Sequence, residues 1–301
     1  MKAWHYALLV FFGGCCYGVL STFVKLAYAA GFTMAEVSGG QYLFGTILTW
    51  VLVLFIKKKK THLSFKQTMK IIISGIPMGL TGIFYYKSLQ TVDASLAIIF
   101  LFQFVWIGTV LEWIIYKVKP NRNKLISIII LLFGSVLATG LLASGGKELS
   151  WIGLGWGMLA ACSFSAFILV SGAVGNQLHP IFKSALLSTG ALCTVFILFP
   201  PAFIFHGEIL LGLAPYGLLL GFFGVMLPPL LFSIGMPHVG PGLGTILSAA
   251  ELPTAIVLST FVLHETVTSI QWVGVIVVLF GIFIGQASLF LKRKYVRPIN
   301  R

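Results

Sequence analysis

The chain has 301 residues, of which 58% are apolar and 9% charged, with a formal net charge of +13. A water-soluble domain carries roughly a quarter charged residues, so composition excludes a soluble enzyme or a soluble binding module as the body of the molecule. The charge alone would fit a nucleic-acid partner, but its distribution does not, as shown below.

Stretches of roughly 20 apolar residues are long enough to cross a bilayer. Ten are expected: 4–30, 34–56, 67–89, 93–117, 123–143, 151–175, 180–205, 211–235, 240–263 and 268–291. The first mimics a signal peptide, with Lys2 before it and Ala27-Tyr28-Ala29 after it. Its apolar part exceeds the 7–15 residues typical of a signal sequence, so it reads as a retained helix. Basic residues gather in alternate connections, including Lys57 to Lys60, Lys117 to Lys124 and Lys292 to Arg301; 17 of the 20 fall on one side. That bias places both termini in the cytoplasm, in a multi-pass protein of the cytoplasmic (inner) membrane, and leaves no nucleic-acid partner to explain. Membrane lipids are its expected surroundings.

A shift of 147 residues lays the first five spans on the last five without a gap. Cys15 then meets Cys162, Val92 meets Val239, Ile99 meets Ile246, and Leu132-Phe133-Gly134 meets Leu279-Phe280-Gly281. Five crossings per copy put the second copy upside down relative to the first. The expected fold is an all-α membrane protein, ten transmembrane helices forming an inverted repeat of two five-helix units around a central cavity. The units are 1–147 and 148–291, joined by the Gly/Ser-rich 143–150 linker and followed by a basic cytoplasmic tail, 292–301.

Along the chain, span one carries a small and polar stripe of Gly14, Gly18, Ser21 and Lys25. Lys25 could meet an anionic substrate group, pair with Glu251 or Glu36, or reach for the outer interface. Span three holds Thr81-Gly82 after Pro77, opposite Pro228-Pro229 of span eight. Proline lacks an N–H and clashes with the preceding turn, so paired weak points are expected there. Such interruptions in corresponding segments point to a transporter site. Tyr85 and Tyr86 follow, either as headgroup anchors or as cavity lining. Span four brings Phe102, Gln103 and Trp106; Gln103 either bonds a substrate or ties two helices together. Phe102, Trp106 and Phe164 of span six are candidate apolar walls.

Gly134-x-x-x-Ala138 in span five matches Gly281-x-x-x-Gly285 in span ten. Such rows let helices approach closely, within one bundle or across a homodimer. Span nine contains the one carboxylate well inside a span, Glu251, with Ser248 before it and Pro253 after it. A charge at that depth costs roughly 3 kcal/mol on insertion scales, and such residues usually face a cavity on an ion or substrate path. Glu251 is thus a candidate for proton coupling or for an ammonium group, unless it only bonds a carbonyl freed by Pro253. Ser248, Gln103 and Tyr85 are candidate polar contacts beside it.

The four cysteines lie inside spans without a C-x-x-C pair, and the six histidines lie at span ends or in connections. No metal, cofactor or catalytic cluster is therefore expected, and neither is an enzyme.

Tyr17-Gly18 followed by Phe23-Val24-Lys25-Leu26-Ala27 resembles the opening helix of the EamA branch of the drug/metabolite transporter superfamily. Glu251-Leu252-Pro253, then His264-Glu265 before Gln271-Trp272-Val273-Gly274, resembles that family's ninth helix and the start of its tenth. The chain departs from the family pattern at Gln41, where an arginine often stands, and lacks a first-half glutamate near Tyr116 to Lys119. The resemblance implies a ten-helix basket exporting small metabolites, among them amino acids, or toxic cations. The expectation is a secondary transporter working by alternating access on a small-molecule substrate, with protons as a candidate coupling ion. A proton-coupled exporter of cationic drugs and a lipid flippase are the alternatives.

Overall fold

A computed structural model describes residues 3–56, 64–92, 94–140 and 150–292. Lys2, Lys57 to Lys60, the linker at 141–149 with Lys147, and the tail from Arg293 lie outside those residues. Fourteen α-helices build the spans: α1 (Ala3–Ala29), α2 (Met34–Leu54), α3 (Phe65–Ile73), α4 (Ile76–Leu89), α5 (Ala94–Leu101), α6 (Phe104–Tyr116), α7 (Arg122–Ala138), α8 (Trp151–Ala173), α9 (Pro180–Leu198), α10 (Gly207–Gly221), α11 (Leu227–Val239), α12 (Pro241–Ser248), α13 (Glu251–Val262) and α14 (Ser269–Lys292). The pairs α3–α4, α5–α6, α10–α11 and α12–α13 each form one crossing. Among the described residues, nine spans are long and apolar enough to cross a membrane; α7, at 17 residues, is slightly shorter.

Polar caps fix the ends. Thr33 and Glu36 form a reciprocal capping box on α2, as Ser64 and Gln67 do on α3. Asn121 accepts from the Lys124 N–H at the start of α7, and Ser150 caps α8. Each satisfies N–H groups that a helix start leaves without partners. Lys117 and His264 stop α6 and α13 in the left-handed region, at φ 57° and 54°, and they stand 147 residues apart.

The interruptions obey the same repeat, at positions that differ from those expected. Thr81 and Gly82 lie within an unbroken α4; span three breaks at Ser74–Gly75 instead. Pro77 explains this, because its ring opposes the carbonyl four residues back, that of Ile73, which ends α3. In span eight the helix does not break at Pro228-Pro229. It passes through a π turn, Phe222–Met226, in which Leu227 N–H bonds the Phe222 carbonyl. The prolines remove the N–H groups that the Gly224 and Val225 carbonyls would use, and the widened turn absorbs the strain. Pro253 acts likewise: α12 gives way to α13 at Ala249–Ala250, one turn ahead of it. Span four breaks at Phe102–Gln103, the equivalent position, without a proline. There Gln103 N–H and Val105 N–H bond three residues back, to Phe100 and Phe102.

Span seven ends at Leu198 rather than near 205, because Pro200-Pro201 precede a 3-10 turn, Ala202–Phe205. Span eight is correspondingly longer than expected, from 207 to 239. The halves interlock: α1 packs on α11, α12 and α13 of the second half, and α8 packs on α4, α5 and α6 of the first. The small-residue rows lie between α7 and α14. An added methyl at Gly134 would meet Val278, and one at Gly281 would meet Leu131. Those rows thus pack within one chain, the first of the two alternatives read from the sequence.

Candidate functional site

One cavity of about 400 Å³ opens between the halves. Its walls come from α1, α2, α4, α5, α8 and α13, with Ala138 of α7, Gln271 of α14, the connection before α14 and Gly224 of the π turn. It is lined mostly by apolar and aromatic groups with a few polar ones, the usual make-up of a small-molecule site.

The floor is aromatic. Tyr17 meets Phe164 edge-on at 5.3 Å between ring centroids and Phe232 at 5.9 Å. Phe164 in turn meets Phe104 at 4.8 Å, and Phe167 stacks near Phe232 at 6.0 Å. Below this layer the two halves are bonded together. Ser165 donates to the Phe104 carbonyl at 3.0 Å, and Thr245 donates to the Val105 carbonyl at 3.2 Å. Deeper still, Lys124 Nζ lies 2.7 Å from Glu112 Oε2, with both side chains nearly buried. The Glu112 carboxylate covers Gly242 at the start of α12, where an added methyl would displace it. The path is therefore shut on the Lys124 side.

The mouth lies on the opposite side. Lys25 Nζ donates to Glu265 Oε1 at 2.8 Å, and Ser259 donates to Glu265 Oε2. Lys25 thus pairs with Glu265, not with Glu251 or Glu36. Glu36 is engaged at the start of α2, accepting from Thr33 N at 2.7 Å. Partial burial pushes the Glu265 carboxyl up, but the Lys25 and Ser259 hydrogen bonds and the Lys25 charge hold it below its usual value.

Of the residues singled out from sequence, Tyr17, Lys25, Thr81, Gly82, Tyr85, Tyr86, Phe102, Phe164 and Glu251 line the cavity. Glu251 opens α13 where the span breaks, and it lines the cavity with Tyr17 and Tyr85. Gly18 lets α1 lie directly on the Glu251 backbone carbonyl.

Gln103, Ser248 and Trp106 are not in the cavity wall, and expectation and structure differ there for a local reason. Gln103 Nε2 donates to the Ile99 carbonyl at 3.0 Å and its Oε1 accepts from Trp106 Nε1 at 2.8 Å. The amide thus mends its own broken helix. Ser248 is buried against α1 and donates to the Gly244 carbonyl. Pro228, Pro229 and Pro253 shape the helices behind the wall without lining it.

Gln41, Tyr42, Phe167, Gly224 and Glu265 line the cavity as well, beyond the site residues expected from the sequence. A polar amide inside an apolar span was the available signal for Gln41. Nothing in the sequence tied Glu265 to Lys25, because 240 residues separate them.

Residues 4–140 and 151–285 each match the model of the EamA-like transporter family. A solved crystal structure, described only as that of a protein, has the same fold. It superposes with a TM-score of 0.74 over 94% of this chain and 98% of its own, at 14% identity. No curated protein matches the chain.

Proposed function

The chain belongs to the EamA-like transporter family, and on that premise we propose that it is a secondary carrier exporting small organic metabolites, such as amino acids, across the cytoplasmic membrane. The observation that carries this reading is a deep cavity with Glu251 in its wall, open at Lys25–Glu265 and closed beneath by the aromatic floor.

Lys66, Lys70, Lys117, Lys119, Arg122 and Lys124 all lie on the closed side. The positive-inside bias supports cytoplasm there, so this conformation faces outward. Alternating access then requires the Tyr17–Phe164 floor and the bonds below it to part while the Lys25 side closes. The two interlocked halves suit such rocking, since each contributes walls to the same site.

Glu251 serves as the group that takes a proton or an ammonium. Tyr17, Tyr85, Phe102 and Phe164 hold the apolar body of the substrate. The same aromatic walls around one carboxylate favour a second reading, an exporter of cationic drugs, since ring faces attract cations. A flippase reading has less support, because the cavity's cation, Lys25, is already bonded to Glu265.

A thermal-shift screen of the purified protein against amino acids, quaternary ammoniums and nucleosides tests the reading. A specific ligand raises the apparent melting temperature by mass action. Stabilisation by amino acids supports the metabolite carrier, stabilisation by quaternary ammoniums alone supports the drug exporter, and no response from either class contradicts both.

A further inference from the structure

The most telling group outside the expected site is Gln41. Its side chain sits in the cavity wall, yet the residue is 4% exposed. The Tyr86 hydroxyl donates to Gln41 Oε1 at 2.9 Å. That bond fixes which end of the amide faces the cavity. Gln41 Nε2 is then presented beside Gly224 of the π turn, where a methyl group would collide with it. Nε2 thus belongs to the cavity wall, accessible to what the cavity holds.

An amide N–H on a cavity wall bonds whatever occupies the cavity, water or an acceptor on the ligand, and an acceptor-bearing ligand replaces the water without loss. The pocket around it is built for that amide. Gly224 leaves space, Tyr86 fixes orientation, and Tyr42 is tied back by donating to the Met78 carbonyl at 2.8 Å, so it does not compete. Glu251 of α13 and Gln41 of α2 both line this one cavity. One wall therefore offers a carboxylate and the other a fixed neutral N–H donor.

We infer that Gln41 is a specificity-determining residue whose amide N–H binds an acceptor oxygen, carboxylate or carbonyl, of the substrate held by Glu251. The inference rests on the carrier reading and deepens it. It assigns a bipolar substrate: one end suited to Glu251, the other carrying an oxygen acceptor. Tyr86 is a positioning residue that acts through Gln41.

The test uses the full-length protein in nanodiscs and matched probes that differ only in the acceptor group: L-phenylalanine, L-phenylalaninamide and phenethylamine, with L-leucine and isoamylamine as a second set. Wild-type protein binds the acceptor-bearing members about tenfold more tightly than the bare amines, the scale of one well-placed buried hydrogen bond. Gln41→Met, similar in length but without N–H, brings the ratio to within about twofold, and Gln41→Glu reverses it. Tyr86→Phe lowers the ratio partway while the melting curve stays cooperative, which keeps the test valid if Gln41→Met does not fold. A preference for the amide as strong as for the acid assigns a carbonyl acceptor; a preference for the acid alone assigns a carboxylate. A preference that survives Gln41→Met, or amines bound by wild type without any preference, overturns the inference and leaves the carrier standing. Binding of no probe by wild type overturns the carrier reading and this inference with it.

Discussion

Lys25 Nζ stands 2.8 Å from Glu265 Oε1, joining the first helix of one half to the connection between α13 and α14 of the other at the cavity mouth. Both side chains remain 46% exposed. Solvent screens such a pair, so its coupling energy is expected below about 1 kcal/mol despite the short distance. A double-mutant cycle with Lys25→Met and Glu265→Gln, read by thermal unfolding, measures it. The Glu265 carboxyl is held below its usual value in the folded protein. Its contribution is then present above the ordinary carboxylate range and fades as pH falls through the lowered value. Coupling that grows on acidification would contradict this assignment.

The pair at the other end behaves differently. Lys124 and Glu112 are almost fully covered, 2.7 Å apart, and Glu112 also lies over Gly242. Removing one partner strands a buried charge, so Lys124→Met is expected to destabilise by about 3 kcal/mol. The double replacement Lys124→Met with Glu112→Leu recovers much of that loss. Melting temperatures in detergent check both: a single variant no worse than the Lys25→Met variant would show that the closed side is not held by this pair.

Gly18 and Gly155 make a paired test of helix contact. A methyl at Gly18 would run into the Glu251 carbonyl, Thr254 Cβ at 2.7 Å and Ala255 N at 3.0 Å, whereas one at Gly155 meets nothing within 4 Å. Overpacking at Gly18→Ala is expected to cost about 1–3 kcal/mol. Gly155→Ala stays within about 1 kcal/mol of wild type. Equal melting temperatures for the two variants would contradict the close α1–α13 contact at Gly18.

Much of this architecture was legible because two periodic signals reinforce each other. Span lengths set the crossings, and the 147-residue shift also relates the breaks at Phe102–Gln103 and Ala249–Ala250 and the stops at Lys117 and His264. Glu251 was legible because a carboxylate at mid-membrane has few alternatives to a cavity. The helix interruptions were harder to place. A proline disturbs the turn before it, so Pro77 and Pro253 mark breaks several residues upstream, and a π turn has no residue signature of its own. Gln103 and Gln41 are both amides inside apolar spans; only tertiary neighbours show that one repairs its helix and the other faces the cavity. The Lys25–Glu265 link depends on folding two distant segments together and left no local trace.

The central claim is that Glu251, deep in the cavity wall, couples the substrate or its proton to transport. The most direct measurement is substrate flux driven by a pH gradient in proteoliposomes, wild type against Glu251→Gln, using the ligand found by thermal shift. Glu251→Gln keeps size and hydrogen-bonding capacity but cannot ionise. The expected result is loss of gradient-driven flux, to roughly a hundredth of wild type or less, with the melting temperature retained. Flux at the wild-type rate with an unchanged pH profile would contradict the account.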